Sequence, residues 1–103
     1  MRRALVFNHG IPAGNLIEIQ QNSKYLFEYF TEYNGDSISL TMPKAELKFE
    51  YDLFPPYFEG LLPEGFMLDG ILSNAKIDRN DLFSLLVFVG SDLVGSVTVE
   101  EIE

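Results

Sequence analysis

The sequence predicts an α+β fold: a small, mostly antiparallel sheet covered by short helices, forming one domain over residues 1–103. Three observations predict it. The first half of the chain breaks into short runs rich in aromatic and β-branched residues, separated by turn residues. The second half changes to apolar spacing of the helical kind, with an acidic start signal at Asp78-Arg-Asn-Asp81. One more alternating run, Ser96-Val-Thr-Val-Glu100, then closes the sequence.

Arg3 to Phe7 is a short strand ended by Asn8-His9-Gly10, and Ile11-Pro-Ala-Gly14 reads as a continuation of that turn. Asn15 to Gln20 is the second strand and pairs with the first as a hairpin. After the polar loop Gln21-Asn-Ser23 comes an aromatic strand, Lys24 to Phe30. Period-two geometry puts Tyr25, Phe27 and Tyr29 on one face, with Leu26, Glu28 and Phe30 on the other. Asn34-Gly35 signals a tight turn. Ser37 to Met42 alternates cleanly and is expected to be a strand, with Ile38, Leu40 and Met42 facing inward. Pro43 stops it. Lys44 to Asp52 fits either an edge strand or an irregular connector.

Leu53-Phe-Pro-Pro-Tyr-Phe-Glu-Gly-Leu-Leu-Pro-Glu-Gly-Phe-Met67 is too apolar for a solvated loop and too broken by proline for one helix. Pro55 and Pro56 suit a first helical turn, Tyr57 to Leu62 continues it, and Pro63 ends it. Gly65 permits a reversal, after which Phe66 to Leu72 resumes helical spacing. The stretch is a buried corner, a docking surface, or both on different faces. Further on, Asp78 is expected to cap a helix carrying Leu82, Phe83, Leu85, Leu86 and Val89 on its buried face, ended by Gly90. Asp92 to Gly95 is a loop. Val97 and Val99 of the last strand point inward, and Glu100, Glu101 and Glu103 make an acidic end.

Composition narrows the function. Sixteen acidic against seven basic residues give a net charge of −9, which disfavours direct binding to a phosphate backbone and suits a basic partner. The chain has no cysteine, so it has neither disulfides nor thiolate chemistry. The apolar run after Met1-Arg-Arg is too short for a signal peptide, and no other run approaches membrane-spanning length. A soluble cytoplasmic protein with no membrane contact is expected.

The chemical inventory is thin. His9 is the only histidine and sits beside a turn glycine, where a hydrogen-bonding role is expected rather than a metal or catalytic one. Gly90-Ser-Asp-Leu-Val-Gly95 has the glycine spacing of a phosphate loop. It lacks the lysine, however, and lies between a helix and a strand in the wrong order. Glu59, Glu64 and Asp69 have no base, metal cluster or phosphate cradle near them in sequence. No catalytic residue, metal or cofactor is expected, and the domain is expected not to be an enzyme.

Four pieces, in order, carry a resemblance: Gly10-Ile-Pro-Ala-Gly14, Ile38-Ser-Leu-Thr-Met-Pro43, Phe58-Glu-Gly-Leu-Leu-Pro-Glu-Gly65 and Gly90-Ser-Asp-Leu-Val-Gly-Ser-Val97. Together they resemble the N-terminal subdomain of HipA-type serine/threonine kinase toxins over nearly the whole chain. Gly90-Ser91, at the start of the last glycine turn, differs from the Gly-Arg common in that family. A copy of this subdomain without the kinase core resembles the HipS antitoxins of tripartite HipBST toxin–antitoxin systems. The resemblance implies that the chain binds and inhibits a HipT-like serine/threonine kinase, with a HipB-like DNA-binding protein in a larger complex. It further implies docking on the kinase N-lobe, with Phe66 as an aromatic wedge, Met67 beside it and Leu62, Pro63 and Glu64 around it. Glu64 or Asp69 would meet a basic kinase residue. The alternative for Phe66 is a core residue opening the next helix, and the alternative for the domain is a split-off module that completes a HipA-like kinase.

Overall fold

The computed structural model describes residues 1–93 and 95–102. Five strands, β1 (Arg2–Asn8), β2 (Ile11–Gln20), β3 (Lys24–Tyr29), β4 (Lys48–Tyr51) and β5 (Val97–Ile102), form one antiparallel sheet in the order β4-β3-β2-β1-β5. The first four make a meander. The chain then runs through helices α1 (Pro56–Glu59), α2 (Gly65–Ala75) and α3 (Leu82–Phe88) before β5 returns beside β1. Val94 of the glycine-bounded loop and Glu103 of the acidic end lie outside the described residues.

The hairpin turn is shorter than the sequence implies. His9 and Gly10 have φ of 52° and 78°, as a two-residue type I′ turn requires, and β2 already begins at Ile11. Ile11 to Gly14 therefore belongs to the strand. Val6 pairs with Gly14 and Phe7 with Pro12, which leaves Ala13 as a bulge. The bulge is what tolerates a proline, lacking an N–H, in a strand flanked on both sides. His9 donates its backbone N–H to Ser96 O at 2.9 Å, tying the turn to the start of β5.

Tyr25, Phe27 and Tyr29 are buried on the inner face of β3, beside Ala4, Val6 and Leu16 of the neighbouring strands. Phe54 and Phe58 pack on them from the proline-rich stretch and Phe83 and Leu86 from α3, while Val97 and Val99 complete the core. Edge-to-face contacts join Tyr25 to Phe54 at 5.3 Å and Phe27 to Tyr29 at 4.8 Å. Lys44 to Asp52 resolves as a connector followed by the edge strand β4.

Ser37 to Met42 is not a strand. Ile38 and Met42 are buried, but Leu40 is 99% exposed at the tip of a turn closed by the isolated bridge between Ser39 and Met42. Side chains take over the hydrogen bonds that a strand partner would have made. The Tyr29 hydroxyl donates to Met42 O at 2.6 Å and accepts from Ile38 N at 2.9 Å. Ser37 Oγ accepts from Lys44 N at 2.7 Å, and the Ser39 and Thr41 hydroxyls bond each other at 2.8 Å. Asn34-Gly35 accordingly turns a loop over Tyr33, whose hydroxyl donates to Asp36 O at 2.6 Å, rather than joining two strands.

Asp81, not Asp78, caps α3. Its carboxylate accepts from Ser84 N at 3.2 Å and Ser84 Oγ at 2.6 Å, while Asp78 closes the preceding turn onto Asn80 N at 2.8 Å. Gly90 follows the helix as expected, and it does more than stop it. A β-carbon there would overlap Val99 O, and Gly90 O accepts from Val99 N at 2.9 Å, so the turn lies directly against β5.

Two titrations bound the stable pH range. Burial opposes ionisation of Asp81, but hydrogen bonds from Arg2 and Ser84 outweigh it and hold the carboxyl below its ordinary range. Its contribution is thus complete above the unfolded-state value near ~3.9 and is lost as pH falls through the lower folded value. Burial, helped by the Glu18 charge, pushes the Tyr25 hydroxyl up to about 12, and burial raises Tyr29, Tyr51 and Tyr57 as well. Their contribution is complete below about pH 10 and is lost as pH rises through the folded values. Melting temperature measured against pH is expected to show a plateau between these limits and to fall on both sides. An alkaline limb that stays flat to pH 12 would contradict the burial of these hydroxyls.

Candidate functional site

The proline-rich stretch divides its apolar residues between two destinations. Pro55, at the N-cap, and Pro56, at the first helical position, start α1, whose short length buries Phe58 completely; Phe54 and Pro55 are buried alongside it. Leu61 N and Leu62 N bond back to Phe58 O and Glu59 O at 3.1 Å, which tightens the end of the turn before Pro63 breaks it. Beyond that point nothing goes inward.

α2 starts at Gly65, where φ is +62°. An added β-carbon would meet nothing within 4 Å, so glycine is favoured here by backbone conformation and not by space. The preceding Glu64 is extended and makes no side-chain cap, and Lys76 closes the far end in the left-handed region. α2 buries none of its residues. Phe66 is 97% exposed and Met67 69% exposed, on the first turn of a helix that stands outside the core. Of the two readings of Phe66, the one that makes it a core residue is thereby removed.

The other predicted docking residues surround this turn. Leu62 and Pro63 are half-buried at the ridge between α1 and α2, and Glu64 is exposed. Asp69 lies one turn further along and accepts a hydrogen bond from Arg79 Nη2 at 2.8 Å. Both partners of that pair are more than 60% exposed, so it contributes little to stability and is available for exchange.

Behind the ridge lies an open cleft of about 640 Å³ between α2 and the end of α3, lined by Leu61, Leu62, Met67, Ile71, Phe88 and Leu93, with Asp92 at its edge. Sequence reasoning missed the α3 side of it. The available signal was Phe88: it lies five residues past Phe83, roughly 140° around the helix from it, and so cannot share the buried face. It is 58% exposed. No helix of the described residues is long and apolar enough to cross a membrane, and these residues hold no cluster of three or more His, Cys, Asp or Glu side chains that could bind a metal ion.

Comparison with known proteins identifies the domain type. The family described as HipA N-terminal domain matches residues 4–100. The chain belongs to that family. A solved structure described as the N-terminal domain of HipA toxin superposes with a TM-score of 0.78 at 30% identity, covering all of this chain and 94% of that one. The small antiparallel sheet with a few short helices is thus the HipA N-terminal domain fold. A protein of uncharacterised function from Haemophilus influenzae is 32% identical over 101 residues, covering 98% of this chain and 93% of its own length. Y4dM of Sinorhizobium fredii, whose name places it provisionally among the kinases, is 33% identical over 105 residues. The match spans 92% of this chain but only 25% of Y4dM.

Proposed function

We propose that this HipA N-terminal domain is a non-catalytic antitoxin of the HipS kind, which binds a HipT-like serine/threonine kinase and inhibits it. The observation that carries this reading is Phe66. A large aromatic held 97% exposed on an outlying helix has no role in the core, and aromatic side chains of this sort anchor protein interfaces. Membership of the HipA N-terminal domain family, and the likeness to the N-terminal domain of HipA toxin, support a kinase toxin of that type as the partner. Phe66 enters the kinase N-lobe with Met67 beside it, while Leu62 and Pro63 close the rim and Glu64 and Asp69 face basic residues. A HipB-like DNA-binding protein is the third member of the complex.

The match to a quarter of the kinase-named Y4dM favours a second reading, in which the domain completes an active kinase instead of silencing one. The sign of the effect separates the two. A HipT-like kinase encoded beside this chain is expected to lose autophosphorylation as the purified domain is added, with inhibition complete near equimolar ratio. A rise in activity would establish the completing role, and absence of any complex would remove both.

A further inference from the structure

We infer that the cleft behind the ridge is a second contact site, adjoining that of Phe66 and sharing Leu62, Pro63 and Met67 with it, which takes a lysine- or arginine-bearing apolar segment of the kinase. The choice of a kinase segment as occupant rests on the function proposed above; the chemistry of the occupant rests on the cleft itself. Leu61, Leu62, Met67, Ile71, Phe88 and Leu93 offer a continuous apolar lining, and Phe88 remains 58% exposed within it. Among the described residues no lysine or arginine lines the cleft, and Asp92 is the one charged residue in its lining. Across the Leu62–Pro63 ridge, Arg79 lies with Glu59 and Glu64 in a neighbouring cleft and is held by Asp69. In a chain of net charge −9 this leaves an apolar groove with one carboxylate and no cation in its lining, and its complement is an apolar segment with a cation beside it.

Phe66 does not line this cleft, so one surface can be removed without the other. The test uses the whole chain with methyl-labelled Leu, Ile and Met, titrated with a short amphipathic leucine–lysine peptide and with its leucine–glutamate counterpart. The expected result is that the lysine peptide shifts the methyl signals of Leu61, Met67, Ile71 and Leu93, and that the glutamate peptide shifts none of them. Phe88→Asp and Asp92→Lys should each weaken the lysine peptide by about tenfold, and Phe66→Asp should leave it unchanged. Equal shifts from both peptides, shifts elsewhere on the domain, or indifference to both cleft variants would overturn the site. With the kinase present, Phe88→Asp and Asp92→Lys should also loosen the complex. If Phe66→Asp abolishes inhibition while both cleft variants bind normally, the antitoxin reading stands and the second contact falls. If the lysine peptide behaves as expected and the kinase does not bind at all, the cleft stands without that partner.

Discussion

Phe66→Asp is expected to abolish inhibition of a HipT-like kinase while leaving the domain as stable as the parent. The two halves of this expectation have separate causes. Truncating an aromatic anchor at the centre of an interface costs about 2–4 kcal/mol, a loss of roughly 30-fold or more in affinity, and placing a carboxylate where the ring was seated adds the cost of burying a charge. Folding has no such dependence, since the ring is 97% exposed and belongs to a helix with no buried residue. Exposed substitutions of this kind stay within about 0.5 kcal/mol, and aspartate in the first turn is compatible with the helix dipole. Thermal melting and kinase titration, run on the same preparation, check both halves. Inhibition that survives both Phe66→Asp and Phe66→Ala would show that the wedge lies elsewhere.

Arg2→Ala should do the reverse and unfold the protein at far lower temperature. Arg2 opens β1 and reaches two carboxylates on different elements. Its Nε and Nη2 donate to Glu18 at 2.7 and 2.9 Å on β2, and Nη2 and Nη1 donate to Asp81 at 2.8 and 3.3 Å at the cap of α3. Nη1 also reaches Ser84 Oγ at 2.7 Å, and the guanidinium lies 4.9 Å from the centre of the Phe83 ring. Glu18 is 3% exposed, so removing its cation strands a buried charge that Tyr25 and Asn22 N only partly satisfy, at 3.2 and 3.3 Å. Breaking a pair of this kind by deleting one partner costs about 3 kcal/mol, or roughly 15 °C in melting temperature for a domain of this size. Arg2→Lys cannot restore it, because an ammonium does not present the planar fork that bridges both carboxylates. The double variant Arg2→Met with Glu18→Leu should recover most of the loss, as apolar replacement of a buried pair often does. A loss below about 1 kcal/mol for Arg2→Ala would mean that the network is solvated in solution.

Local pattern carried a good share of the fold, because period and turn chemistry act over a few residues. Tyr25, Phe27 and Tyr29 were readable as one face from alternation alone, which the structure shows to be the buried one, and Val97 and Val99 were readable as pointing inward. α1 could be read from Pro55 and Pro56 before an aromatic run, and α2 from the restart after Gly65. The same reasoning misread Ser37 to Met42. Its alternation is real, but a strand needs a partner, and the Tyr29 hydroxyl with the Ser37 and Ser39 side chains supplies the hydrogen bonds instead. Local grounds pointed to Asp78 as the cap, whereas it is Asp81 that caps the helix and has Arg2, 79 positions away in the chain, as a partner.

By itself, then, the sequence determined the α+β class, the strand faces, the proline-started turn and the resemblance to HipA N-terminal domains, all of which depend on residues near one another in the chain. It placed Leu62, Pro63, Glu64, Phe66, Met67 and Asp69 together without saying which of them face solvent. Tertiary structure decided that. Phe54 and Phe58 pack over β3 in the core, whereas Phe66 stays outside on α2. The cleft that joins Met67 and Ile71 to Phe88 and Leu93 exists only because α2 comes near the end of α3, and proximity between separate helices is written in no single stretch of the chain.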